Sequence, residues 1–283
     1  MRSQFEHQGR LISYRHAQSP GPRQAGVLLL LHAFPLSADM WEPQLAAVPG
    51  GWRFVAPDLR GFGASAPDPG PPSWKDPQGR NAMSIDDYAD DALALLDHLK
   101  VQAAVVCGLS MGGYAAFGVW RRAPERVRGL VLADTQPDVD SESARASRQQ
   151  MLDLLAREGV PTVGESMLPR LLGQTTLDSA PRVVERVRQL AAAQSPEAVG
   201  AAIVRLMSRP DSTPLLPLIE RPVLVVAGEE DRITGPDVAR QMHGQVEGAD
   251  LALIPHAGHL SNLEKPEAFS VALDRFLVTR FSR

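Results

Sequence analysis

Short apolar runs alternate along this chain with stretches whose apolar residues recur every three or four positions. The runs of strand length fall at 10–15, 26–31, 54–57, 103–107, 129–133, 223–227 and 251–254. Such alternation predicts an α/β protein with a mostly parallel central sheet flanked by helices on both faces. Within 84–99, Ile85, Tyr88, Ala92, Leu95, Leu96 and Leu99 share one helical face, and Ser84 and Asp87 have the spacing of a capping box. A second helix is predicted from about 264 to 281. There Phe269, Ala272, Leu273, Phe276 and Leu277 form an apolar stripe suited to packing on the sheet.

Two segments depart from the alternation. Residues 137–217 hold no convincing strand but four amphipathic pieces, at 143–158, 162–172, 181–193 and 196–208. An ordinary crossover between parallel strands needs as few as about 12 residues, so this length predicts an inserted helical lid over one edge of the sheet. The expected organisation is a core in two parts, 1–136 and 218–283, with the lid at 137–217. The other segment, 64–83, is rich in Pro and Gly with Trp74 at its centre. A loop of that length without secondary structure of its own is either functional or disordered.

Composition narrows the function classes. With 283 residues, 44% of them hydrophobic, the chain can bury one large core. The net charge is −4 and no block of basic residues could track a phosphate backbone, which argues against nucleic acid as a partner. The longest aliphatic run, 27–31, falls far short of the ~20 residues that span a bilayer. The first ten residues are polar, unlike a secretory signal. Cys107 is the only cysteine, so no internal disulfide can form, which fits a cytoplasmic location.

The chemistry centres on Gly108-Leu109-Ser110-Met111-Gly112-Gly113, between the apolar run ending at Cys107 and a helix-compatible stretch from Tyr114. This is the pattern of a nucleophile elbow, where a serine sits on a sharp strand-to-helix turn. Gly108 and Gly112 are expected where strand and helix approach too closely for a Cβ. A serine hydroxyl is a weak nucleophile until a base takes its proton, so the elbow predicts a histidine and a carboxylate further along. The alternative for Ser110 alone is a helix N-cap. Two histidines, His256 and His259, follow the strand 251–254, and both Asp231 and Asp134 follow strands that would end at the same edge. Glu229 and Glu230, beside Asp231, read as solvated loop charges. His7, His16, His98 and His243 belong to no motif.

Four spans together resemble the α/β-hydrolase superfamily with a serine nucleophile: His32-Ala33-Phe34-Pro35, Asp58-Leu59-Arg60-Gly61-Phe62-Gly63, the elbow, and Gly228-Glu229-Glu230-Asp231 with His256-Ala257-Gly258-His259. The resemblance implies Ser110 as nucleophile, His259 as general base and Asp231 as the acid that orients it, in the chain order of this superfamily. It implies an oxyanion hole from the backbone N–H groups of Phe34 and Met111, with His32 as a structural residue of that loop. Where relatives often have glycine after this histidine, Ala33 stands here and restricts the local backbone. Met40 and Trp41 are expected either to line an apolar substrate pocket with Phe34 and Met111 or only to pack the following helix.

The segments 32–41 and 108–113 look like those of small carboxylesterases, 3-oxoadipate enol-lactonases and cofactor-free haloperoxidase-type hydrolases. What this implies is hydrolysis of a small-molecule ester or lactone through an acyl-enzyme, with no metal or organic cofactor, by a monomer or homodimer. Serine in place of aspartate at the elbow argues against the epoxide hydrolases and haloalkane dehalogenases of the same fold. A lactonase needs cations for the substrate's carboxylate, for which Arg170, Arg182 and Arg205 are the candidates. A ligand-sensing receptor that keeps the triad is a third reading, separated from the others by the absence of turnover.

Overall fold

A two-residue turn, Gln8-Gly9, with φ of 49° and 73°, folds the first two strands into a hairpin: β1 (Arg2–His7) pairs antiparallel with β2 (Arg10–Gln18). Positive φ at both central positions is what the twist of a tight hairpin requires. The structure, a computed structural model, describes residues 1–21, 25–67 and 83–281. Most of the loop predicted at 64–83, including Trp74, lies outside the described residues.

From the hairpin the chain enters β3 (Gly26–Leu31), α1 (Glu42–Ala46), β4 (Trp52–Pro57), α2 (Asp86–His98), β5 (Ala104–Leu109), α3 (Met111–Arg122) and β6 (Val127–Ala133). Four helices follow: α4 (Glu142–Leu171), α5 (Gln174–Ser179), α6 (Pro181–Ala192) and α7 (Pro196–Met207). The chain closes with β7 (Val223–Gly228), α8 (Pro236–Gln245), β8 (Asp250–Ile254), α9 (Ser261–Glu264) and α10 (Pro266–Phe281). The eight strands form one sheet in the order β1-β2-β4-β3-β5-β6-β7-β8, parallel from β4 to β8. All seven predicted strands are present. β1 was not predicted, because Phe5 alone among its six residues is buried and no apolar period marks it.

The sheet is covered on both faces, as its strand patterns require. In β3, Val27, Leu29 and Leu31 join one apolar cluster while Leu28 and Leu30 join the other. β5 divides in the same way, Ala104 and Val106 against Val105, Cys107 and Leu109. Side chains two apart share a face, so two continuous cores result. The start of α2 is capped reciprocally: Asp86 N–H donates to Ser84 Oγ (3.2 Å), and Ser84 N–H to Asp87 Oδ2 (3.3 Å).

Strand order places the site. β3 pairs with β4 on one side and β5 on the other, so the chain reverses its winding direction there and the loops leaving β3 and β5 diverge. A crevice at the carboxyl edge of the strands follows from that reversal. The inserted helices lie between β6 and β7, and α4 is interrupted at Gly159 (φ 82°), where the sequence had predicted the break between two helices. Pro161 opens the second half, in keeping with its fixed φ and missing N–H.

Candidate active site

Ser110 occupies a backbone conformation, φ 54° and ψ −113°, that an L-residue adopts only under local constraint. The constraint is visible in the glycines. A Cβ on Gly108 would collide with the carbonyl of Gly112, and one on Gly112 with the carbonyl of Leu31. Ser110 N–H donates to Ala133 O (2.9 Å), and its carbonyl accepts from Gly113 N–H (2.8 Å) and Thr135 Oγ1 (2.9 Å). The turn is thus tied to β6 on one side and to its own helix on the other, which leaves the hydroxyl projecting from the sheet edge.

Two loops from the far end of the chain meet that hydroxyl. Ser110 Oγ donates to His259 Nε2 at 2.8 Å, and His259 Nδ1–H donates to Asp231 Oδ2, also at 2.8 Å. Asp231 is oriented in turn by N–H groups of Ile233 (2.7 Å) and Thr234 (3.1 Å) on Oδ1 and by Thr234 Oγ1 on Oδ2 (2.8 Å). Burial alone would raise the Asp231 carboxyl, but the His259 ring beside it and these donors hold it below the ordinary carboxylate range. For His259 burial disfavours the charged ring. The Asp231 carboxylate and its hydrogen bond outweigh that, with Asp134 and Glu264 assisting, so the imidazole sits above its ordinary value.

The rival residues are placed elsewhere. The His256 side chain is 70% exposed, with its ring 3.9 Å from Glu230. His32 is buried; its Nδ1–H donates to Ala33 O (2.9 Å) and its Nε2 accepts from Leu59 N–H (3.0 Å). Burial lowers the His32 ring to about 4, so it is a neutral strut between two loops. Asp134 accepts from Gly228 N–H (2.8 Å) and Ser261 Oγ (2.5 Å). Burial and the neighbouring Asp231 charge push it up to about 8.

A cavity of about 370 Å³ opens over Ser110 and His259. Phe34, Met111 and Tyr114 wall it from the core, Met151, Leu154 and Met167 from α4, and Arg148 and Arg170 also reach its surface. Met111 opens α3, so its N–H has no acceptor within the helix. Ala33 N–H points instead to Met40 Sδ (3.2 Å), and Ala33 keeps a negative φ.

Met40 and Trp41 do not line this cavity, which corrects the pocket placement and leaves the packing one. Both are fully buried beneath the loop after β3, Trp41 against Phe269 of α10 (centroids 5.9 Å apart) and the Met40 carbonyl accepting from Asn262 Nδ2 (3.0 Å). Glu230 is likewise more than a solvated charge: it accepts from Thr175 N–H (2.8 Å) and Thr175 Oγ1 (2.5 Å) of the inserted unit. Of the three candidate cations in the inserted helices, Arg205 is buried and bonded to Asp87 (2.9 Å), Arg182 lies on an outer groove beside Glu42, and Arg170 alone reaches the cavity. Thr234 and Tyr114 were missed. Asp231-x-Ile233-Thr234 carries the signature of an Asx turn, which could have marked Thr234; Tyr114 had no local signal. Among the described residues no group of three or more His, Cys, Asp or Glu side chains could hold a metal ion. Among them, too, no helix is long and apolar enough to cross a membrane.

Strand order, elbow and the serine–histidine–aspartate contact define a class, the α/β hydrolases. Residues 26–266 match the model of the alpha/beta hydrolase fold family, and the chain belongs to it. It is 28% identical over 254 residues to 3-oxoadipate enol-lactonase 2 of Acinetobacter baylyi, covering 90% of this chain and 89% of that protein. It is 26% identical over 274 residues to the pimeloyl-[acyl-carrier protein] methyl ester esterase of Nitrosospira multiformis, covering 95% and 99%. The solved thermophilic esterase of Thermogutta terrifontis superposes with a TM-score of 0.88 at 33% identity, over 99% of each chain. The protein is accordingly a hydrolase acting on ester bonds.

Proposed function

We propose that this enzyme cleaves carboxylic esters of small, mainly apolar substrates through an acyl-enzyme on Ser110. The observation that carries the reading is the unbroken pair of 2.8 Å contacts from Asp231 through His259 to Ser110. His259 takes the Ser110 proton as the hydroxyl attacks the ester carbonyl, and then gives it to the departing alcohol. Asp231 fixes the tautomer and stabilises the imidazolium. The N–H groups of Phe34 and Met111 receive the developing oxyanion, each contributing ~3 kcal/mol to the transition state. Water, deprotonated by His259, then releases the acid. The helices α4–α7 act as the lid, with the Met and Leu side chains of α4 favouring an apolar acyl or alcohol portion. We place this reaction in the cytoplasm, with the enzyme a monomer or homodimer.

Ser110→Ala is the test, assayed on p-nitrophenyl esters of increasing chain length. Loss of nearly all turnover with an unchanged Tm is expected, and a fluorophosphonate should label wild type, but not the variant, at residue 110. Retained turnover in Ser110→Ala overturns the covalent route.

A lactonase is the second reading, favoured by the charge of the cavity wall. Arg148 and Arg170 lie on it and none of its lining residues is acidic. Asp140 pairs with Arg148 (2.5 Å) but also with Arg209 (2.5 Å), so one carboxylate serves two guanidiniums. An enol-lactone bearing a carboxylate turned over far faster than neutral esters, with Arg170→Ala removing that preference, would put this reading first.

A further inference from the structure

Glu264, in the short helix after the base, is 6% exposed, and three backbone N–H groups converge on its carboxylate. Oε1 accepts from Gly258 (2.9 Å) and Leu260 (3.2 Å), the residues on either side of His259. Oε2 accepts from Gly173 (2.8 Å), at the corner between α4 and α5. No basic side chain bonds to this carboxylate among the described residues. The two backbones it joins are nearly in contact: a Cβ on Gly173 would stand 2.8 Å from Gly258 N. The same corner is held from the acid's loop by Glu230, through Thr175.

We infer that Glu264 is a positioning residue for the base: by gripping the chain on both sides of His259 it sets the imidazole between Ser110 and Asp231, and by gripping Gly173 it ties that alignment to the docking of the inserted helices. The inference rests on the serine-hydrolase reading above. A buried carboxylate satisfied by N–H donors is a rigid anchor, since each charge-assisted bond is roughly twice as strong as a neutral one. It also acts on the ring through its charge. The other titratable or charged groups that face His259 are Asp231 and Asp134 from the loops after β7 and β6, and Arg148 and Arg170 across the cavity.

Glu264→Gln keeps the shape and removes the charge, and whichever way the amide turns, its NH2 faces a backbone donor. A fall in kcat of about tenfold or more is expected, because small misplacements of a base are costly. KM should stay within about threefold, since the substrate's own contacts are kept. The acidic limb of kcat/KM should move to lower pH. Glu264→Asp, which retains the charge, should return that limb to its wild-type position. In wild type, the amide hydrogens of Gly173, Gly258 and Leu260 should exchange slowly and lose protection together. A folded Glu264→Gln enzyme with wild-type kcat and limb overturns the inference, and so does a loss of kcat with the limb unmoved, which would mark a purely structural role. If Glu264→Gln does not fold, Glu264→Asp and the exchange rates decide, and fast, independent exchange of the three amides counts against the clamp. Wild type that cleaves no ester defeats the serine-hydrolase reading instead, with the exchange measurement still deciding whether the clamp exists.

Discussion

Asp231 Oδ2 lies 2.8 Å from His259 Nδ1, while Asp134, buried nearby, gives its two oxygens to Gly228 N–H and Ser261 Oγ. Both aspartates end parallel strands at one edge, so chain position alone does not separate them. The contact predicts that Asp231→Asn lowers kcat by about four orders of magnitude, the scale on which such hydrolases lose rate when the histidine is left in the wrong tautomer. Asp134→Asn should keep most of its activity, because an amide can still accept from Gly228 and meet the Ser261 hydroxyl. Steady-state kinetics of the two variants check the assignment, and the reverse pattern would transfer the acid's role to Asp134.

The pH profile follows from the sign of the His259 shift. In the proposed mechanism the ring must be neutral to accept the Ser110 proton, and its pKa is raised: burial pulls it down, but the Asp231 carboxylate overrides burial. Protonated, inactive enzyme therefore persists to higher pH than for an ordinary histidine. The acidic limb of kcat/KM should have its midpoint above the unperturbed value of ~6.5. A limb below that value, measured on a neutral ester, would contradict the arrangement.

Close approach at the elbow makes a stability prediction. Gly112→Ala sets a Cβ against the Leu31 carbonyl, backbone that cannot yield without moving β3. A loss of about 3 kcal/mol or more is expected, the upper range for overpacking. Gly244→Ala, in α8 with nothing within 4 Å of the new Cβ, should instead gain up to about 1 kcal/mol from helix propensity. Denaturant titrations of the pair test the contrast.

Arg205 of α7 is 2% exposed; its Nε and Nη2 lie 3.0 and 2.9 Å from Asp87 Oδ2 of α2, and its guanidinium covers the Tyr88 ring at 5.1 Å. The side chain fastens the inserted helices to the core. Arg205→Met keeps the bulk and removes these bonds. It should destabilise the protein by about 2 kcal/mol, less than a fully buried pair because Asp87 is partly exposed. Limited proteolysis should then cut earlier within 142–207.

Local rules account for what the sequence determined. Apolar alternation fixed seven strands, the period near 3.6 marked the helices within 84–99, 143–208 and 264–281 but not the short α1, α5 or α8, and the capping pair Ser84 and Asp87 marked the start of α2. The elbow was legible because its glycines and serine are adjacent, and steric exclusion of a Cβ acts over a few residues. β1 escaped because its stability comes from pairing with β2, not from apolar burial of its own.

Only the tertiary structure decided which side chains meet. Ser110 and His259 are 149 positions apart, and their contact depends on strand order and parallel register, which no local period encodes. The same holds for Met40 and Trp41, which packing sends beneath the loop and away from the cavity, and for the contacts of Glu230 with Thr175 and of Glu264 with Gly173, which span 55 and 91 residues. A sequence pattern states what a residue can do within a turn or two of chain; distances between loops are set by the sheet that carries them.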